Sequence, residues 1–387
     1  MLPLDVCTPC LRRTHLLGLL AGRIERAARG RAAFGGLLAL QDEDLVAALG
    51  ARNDRGIHLA RESFDADAAC HAIAAARLGA VCRHGSWYPT PLLDLDDAPA
   101  VLHLAGDPEL LARLSVVDGT VPAVAVVGAR RATPYGIDVA GLLGHDLATA
   151  GITVVSGMAL GIDSAAHVGA LDAPGPTVAV LAGGADRPYP ASKAALHRRI
   201  VAHGCVVSEL PPGTGIMKWA FPARNRIIAG LAAATVVVEA QARSGSLITA
   251  EIAADLGRHI GAVPGPVTGS RSAGTNALLH DGAAVVRDAR DALDLTAIDV
   301  PVSFRRRPPR PPAHDLPEPP SRPAPRPEDP ELRRALDAID DGATSPGRLA
   351  RALDGDVARA TVALTRLELA GLLRRELDGS YARRAGT

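Results

Sequence analysis

From about residue 121 the chain repeats one pattern, a short run that is apolar throughout followed by a stretch of helical texture. The runs fall at 123–127, 153–155, 177–181, 205–207, 235–238 and 260–263, and the helical stretches at 135–150, 163–171, 192–203, 224–231 and 247–256. Strands covered by helices on both faces have no polar side and read as unbroken apolar runs. Their alternation with helices implies a parallel sheet joined by right-handed crossovers. The fold class expected for the middle of the chain is therefore α/β, a Rossmann-like, doubly wound, mostly parallel sheet.

In such a sheet the loops that follow the strands lie along one edge. Here they are rich in glycine and small hydroxyl residues and run into helix starts, where free backbone N–H groups favour anions. The first is Gly128-Ala129-Arg130-Arg131, with Arg130 at its mouth. It lacks the later glycines of the dinucleotide fingerprint, and alone it reads equally well as a tight turn with a solvated arginine. The second runs from Ser156-Gly157 through Leu160-Gly161 to Asp163, which is placed to cap the next helix. His167, one turn on, is expected to be a packed helix histidine. A third loop carries Gly183-Gly184. The fourth holds the densest cationic cluster, Lys218 with Arg224, Asn225 and Arg226, and also Phe221. The fifth is Ser244-Gly245-Ser246. One loop cradles one phosphate, whereas a row of loops can follow a run of them, which points to a polymer.

Composition narrows that ligand. Lys+Arg and Asp+Glu both number 42, so affinity for a polyanion must come from a local patch, not from the global field. Lysine is almost absent, with only Lys193 and Lys218, so a lysine in the fourth loop stands out; its plainer reading is a surface charge. Aromatic residues are 3% of the chain, which limits base stacking to candidates such as Trp219 and Phe221. Sequence-specific readout is not expected.

The flanks differ in texture. Residues 1–95 read as a small helical domain, with helices over 37–50 and 66–78, ahead of an extended run at 101–105 and a Rossmann-like domain over 96–300. Residues 301–330 form a proline- and arginine-rich linker. Residues 331–387 read as a winged helix: three helices, the second capped by Ser345 with Pro346 in its first turn, then a hairpin turning at Asp378-Gly379. Its acids, Asp340, Asp341, Asp354 and Asp356 among them, balance its arginines, so a protein contact suits it better than duplex DNA.

The apolar run at 16–21 is too short to span a bilayer and no cleavage site follows it, so a cytoplasmic protein without a membrane partner is expected. Five cysteines, an odd number, fit a reducing compartment. Cys7 and Cys10 supply two thiols at close spacing. A zinc site needs two more ligands from Cys70, Cys82 or His84, which lack tight spacing, so free thiols and no metal are expected.

The runs Val127-Gly128-Ala129-Arg130, Ser208-Glu209, Phe221-Pro222-Ala223-Arg224-Asn225-Arg226-Ile227-Ile228-Ala229-Gly230, Val238-Glu239-Ala240 and Ser244-Gly245-Ser246-Leu247-Ile248-Thr249-Ala250 resemble the DNA-processing protein A family (DprA/Smf), in order and spacing, over about half the chain. The resemblance implies a non-enzymatic protein without cofactor. It implies that the Rossmann-like domain binds single-stranded DNA and forms a homodimer, and that the protein loads RecA recombinase in natural transformation and DNA recombination. It also implies that Arg130 and Lys218 contact DNA phosphates, with Gly128, Gly157 and Gly161 allowing close backbone approach. Arg224 and Arg226 match a family motif but point to different faces of a helix. Leu160 departs from the family, many of whose members carry arginine there. Pro212-Gly213-Thr214 keeps one enzymatic alternative open, a phosphoribohydrolase acting on nucleoside monophosphates, although the acidic residue expected after that motif is absent. A nucleotide-sensing module is the other alternative.

Overall fold

The computed structural model describes residues 2–27, 34–114, 123–173, 175–296, 327, 329–340, 343–353, 355–375 and 380–383. They belong to two compact units, Met1–Arg305 and Arg306–Thr387. Most of the expected linker, and the hairpin turn at Asp378-Gly379, lie outside the described residues.

The first unit is built on a ten-stranded sheet of β1 (Leu4–Asp5), β2 (Gly79–Cys82), β3 (Val101–Gly106), β4 (Ala123–Val127), β5 (Thr153–Ser156), β6 (Thr177–Val180), β7 (Cys205–Ser208), β8 (Ala234–Val237), β9 (His259–Ala262) and β10 (Ala284–Val285). Its order is β1-β2-β3-β7-β6-β5-β4-β8-β9-β10. All neighbours are parallel except that β3 runs antiparallel to β2 and β7. The unbroken apolar runs have a direct cause. In β4, Val124 and Val126 pack with Leu143 and Leu147 on one face. Ala123, Ala125 and Val127 pack with Ile227 and Leu231 on the other.

Residues 1–95 are less separate than their helical texture suggests. Their helices include Thr8–Ala27, Asp42–Ala48, Arg55–Glu62 and Ala66–Ala75, and the stretch read as one helix over 37–50 is split by the end of Phe34–Ala39. Two of their segments, β1 and β2, join the same sheet as the βα repeats. Gly79, the residue after the helix expected over 66–78, opens a fully buried strand of four residues. A strand that short shows no periodicity, and its glycine and alanine carry weak strand preference.

One feature of the order positions the site. From β4 the chain moves through β5 and β6 to β7 on one side, while from β8 it moves to β9 on the other. β4 and β8 are neighbours, so their outgoing loops diverge and leave a crevice at their carboxyl ends.

The second unit is a winged helix. Its helices are Pro330–Asp340, Pro346–Ala352 and Val357–Leu369, followed by the antiparallel pair β11 (Leu373–Arg375) and β12 (Tyr381–Arg383). Ser345 and Asp356 accept backbone N–H bonds at the second and third helix starts. Among the described residues, no helix is long and apolar enough to cross a membrane.

Candidate nucleic-acid interface

The crevice between the β4 and β8 loops opens into a groove of about 1570 Å³. Its walls are the Gly128–Arg131 loop, the segment from Lys218 through helix Ala220–Gly230, and the loop from Gln241 into helix Gly245–Asp255. Glu239, just past β8, stitches the two diverging loops together. Its carboxylate accepts from Thr133 N at 2.8 Å and Thr133 Oγ1 at 2.5 Å, and its carbonyl accepts from Ala129 N at 2.7 Å. On the other wall Ser244 Oγ accepts from Ser246 N at the helix start. Asn225 Nδ2 donates to Gly245 O at 3.2 Å, tying the second wall to the third.

Arg130, Lys218 and Arg243 are exposed on these walls. Among the described residues no carboxylate pairs with any of the three. Arg130 lies over the Phe221 ring, 4.6 Å from its centroid. The Tyr189 ring backs Phe221 at 5.7 Å. Beside this stack sits a smaller cleft of about 70 Å³, lined by Arg130, Gly157, Leu160 and Arg224 among others. Leu160 places an apolar, half-exposed side chain at a cleft that Leu181, Tyr189, Pro190 and Phe221 already make largely apolar, with Arg130 and Arg224 as its two guanidinium groups.

The fourth-loop cluster does not act as one patch. Arg226 is 5% exposed. It pairs with Asp97 and Glu209, each at 2.8 Å, and also donates to the carbonyls of Ala223 and Asp97. Burial works against its charge, but Glu209 and Asp97 outweigh it and hold the pKa above the usual guanidinium value. The guanidinium is thus committed to groups inside the protein, a structural rather than a free cation. Arg224 is 7% exposed, donates to Val180 O at 2.7 Å and approaches Asp163 at 3.9 Å. That separation is too long for a hydrogen bond. Burial raises the Asp163 pKa, opposed by Arg224 and the amides of Ala159 and Gly157. Asp163 therefore holds the loop before its helix, whose N-cap is Gly161, and does not cap the helix itself.

At the glycines expected to let DNA approach, the space a side chain would need is taken by the protein itself, while Gly128 lines the groove and Gly157 the smaller cleft. A Cβ on Gly128 would meet Ile162 at 2.7 Å, and one on Gly157 would overlap the Arg224 guanidinium. Gly161 has φ +79° and abuts Ala129 O. These glycines set the packing of the β4 and β5 loops against each other and against Arg224. Ser156 is also internal, donating to Val126 O at 2.6 Å. Trp219 is 2% exposed, takes Glu25 as a backbone partner and packs in the cluster with Leu16 and Leu20, so it offers no face to a base. Phe221, half-buried beneath Arg130, remains on the groove. His167 is fully buried beside Thr177 Oγ1 at 2.7 Å; burial and the Arg224 cation hold its pKa down to about 3.

Glu209 and Glu239, in Ser208-Glu209 and Val238-Glu239, carry internal roles that those short motifs do not disclose. The available signal was a carboxylate immediately after an all-apolar strand, where only an internal partner makes burial tolerable. At the other end of the sheet, Cys7, Cys10, Cys82 and His84 converge, whereas Cys70 stands outside their group.

A family model described as DNA recombination-mediator protein A matches residues 80–297, more than half of the chain. A DprA winged helix domain model matches residues 318–379. The chain belongs to the DprA/Smf family. The DNA processing protein DprA of Mycobacterium tuberculosis is 54% identical over 172 residues, which make up 44% of this chain and 44% of that relative. The match thus spans less than half the length of the mycobacterial DprA. The DprA of Streptococcus pneumoniae is 40% identical over 206 residues, covering 53% of this chain and 70% of the relative. The X-ray structure of S. pneumoniae DprA matches with a TM-score of 0.60 and 30% identity, over 76% of this chain and 100% of that one. The DprA/Smf match includes every groove residue described above and begins after Cys7 and Cys10.

Proposed function

We propose that this chain binds single-stranded DNA without strong sequence preference and acts as a recombination mediator that hands the strand to RecA. The observation that carries this reading is the set of exposed cations without a carboxylate partner among the described residues, Arg130, Arg131, Lys218 and Arg243, around a crevice at the sheet's switch point. Open α/β sheets bind ligands at such a point. A groove of about 1570 Å³ is far larger than one nucleotide requires. The Phe221 ring beneath Arg130 offers an apolar surface at its edge. Family membership supports the recombination role and, by the resemblance, a homodimer.

A binding role fits better than a catalytic one. Of the carboxylates lining the groove, the two least exposed are engaged inside the protein, Asp163 with loop amides and Asp97 with Arg226, while Asp96, Glu251 and Asp255 are exposed at its edge. The test is a fluorescence-anisotropy titration of a labelled single-stranded oligonucleotide with the full chain, competed with AMP. The expected result is tight, salt-sensitive oligonucleotide binding that AMP does not displace. Displacement by AMP at comparable concentration would favour a nucleotide site. The RecA step is tested separately, by the rate of RecA filament growth on the same strand with and without the chain.

A further inference from the structure

We infer that Cys7, Cys10, Cys82 and His84 form a closed zinc site that staples the start of the first helix to the turn after β2. One ligand atom from each residue lies within 4.8 Å of all the others. His84 Nδ1 is 3.4 Å from Cys7 Sγ and 3.3 Å from Cys10 Sγ, and Cys82 Sγ is 3.9 Å from Cys7 Sγ. A tetrahedral zinc ion, with bonds of about 2.3 Å to sulfur and about 2.0 Å to nitrogen, sets its ligand atoms roughly 3.5–3.8 Å apart. These three spacings bracket those edges, and the remaining pairs lie within 4.8 Å, so closing the tetrahedron moves ligand atoms by no more than about 1 Å.

The two arms of the site are held in place by contacts that owe nothing to a metal. Cys7 immediately precedes helix Thr8–Ala27, and Cys10 sits in its first turn. On the other arm, β2 ends at Cys82 and the chain turns with Gly85 N donating to Cys82 O at 2.8 Å. Asp5 joins the arms: it pairs with Val81 in the sheet, and its carboxylate accepts from Ser86 N at 2.8 Å. Gly85 packs so closely on Asp5 that a Cβ there would clash at 2.5 Å.

The donor set selects the ion. Three sulfurs and one imidazole nitrogen, with no carboxylate in the group, suit zinc and exclude magnesium or calcium. Four protein ligands leave no open position, so the role is structural rather than catalytic. Binding releases the thiol protons, and the ion ties a two-residue edge strand and the first helix to the sheet. A Cys7–Cys10 disulfide is the competing chemistry, but it would leave Cys82 and His84 converging for no reason. Cys7 and Cys10 lie ahead of the stretch matched by the family model, whereas Cys82 and His84 lie within it.

The experiment is elemental analysis of the full chain, purified without chelator from zinc-supplemented cells, alongside thiol counting by mass spectrometry. About one zinc per chain is expected. It should be lost in Cys7→Ser and in His84→Ala and kept in Cys70→Ser. His84 is exposed, so its alanine variant keeps the test alive if Cys7→Ser does not fold. Cobalt reconstitution should give the strong visible absorption of a tetrahedral thiolate site in the parent and not in His84→Ala. Less than about a tenth of a zinc per chain, a Cys7–Cys10 disulfide in the purified protein, or zinc retained by the His84→Ala and Cys7→Ser variants would overturn the assignment.

Discussion

Lys218 and Arg226 stand eight positions apart in the same cationic stretch, yet the fold uses them in opposite ways. Lys218 faces the groove with no acidic partner among the described residues. Arg226 is enclosed by Asp97 and Glu209, and Arg224 lies buried between Val180 O and Asp163. The same contrast holds between Arg130, exposed on Phe221, and Arg224, at the floor of the same cleft. Cation count therefore says little about where a polyanion sits. What matters is whether a carboxylate already occupies the charge. Buried arginines build the walls, and exposed ones remain for a ligand.

The largest effect that would break this division is on stability. Arg226→Ala removes one member of a buried ionic triad and leaves Asp97 and Glu209 facing each other uncompensated. The expected loss is about 3–5 kcal/mol, read by urea denaturation followed by fluorescence. The fraction that remains folded should bind single-stranded DNA as the parent does. A stable variant with weakened binding would move Arg226 to the ligand side of the comparison.

A second prediction uses His167, whose proton affinity is lowered by burial and then by the Arg224 charge. With its folded pKa held near 3, below the ordinary value of 6.5, His167 stays neutral in the folded protein while the unfolded chain takes up a proton. Its contribution is fully present above pH 6.5 and is lost as pH falls toward 3, by up to about 1.4 kcal/mol per pH unit. The stability of His167→Gln relative to the parent should therefore rise as pH is lowered from 6.5 to 5. A difference that stays constant with pH would mean that His167 takes up its proton in the fold just as it does in the unfolded chain.

The smallest effect concerns the exposed class. Phe221→Leu keeps an apolar side chain beneath Arg130 but removes the ring face. A cation over an aromatic ring at an exposed position contributes roughly 0.5–1 kcal/mol, so oligonucleotide affinity should weaken about two- to fivefold without loss of stability. An unchanged affinity would show that Arg130 needs no ring to hold its place.

Much of the frame was legible in the sequence because burial on both faces leaves a clear mark. The apolar runs located β4 through β9 to within a residue or two at each end, and the loop edge followed from parallel order. The short strands β1 and β2 were not legible, since a few small residues carry no period. At the site, Arg130, Lys218 and the Ser244-Gly245-Ser246 helix start were read from local context and lie on the groove. Arg226, Ser156 and Trp219 are used inside the protein, and the glycines also serve its internal packing, because their partners come from distant segments: Asp97, Val126, Glu25, Ile162 and Arg224. A linear motif names the residues that matter to a site without saying whether they face the ligand or the scaffold.

The central claim is that the exposed cations, and not the buried ones, neutralise the phosphates of a single strand. Its most direct test is the salt dependence of single-strand binding for the full chain, measured for the parent, Lys218→Ala and Lys193→Ala. Lys193 is the only other lysine and lies outside the groove lining. The account predicts that log affinity falls linearly with log salt. Lys218→Ala should reduce that slope by about 0.7, one phosphate's share on a single strand, and Lys193→Ala should leave it unchanged. Identical slopes for the parent and Lys218→Ala, or an affinity that does not respond to salt, would contradict it.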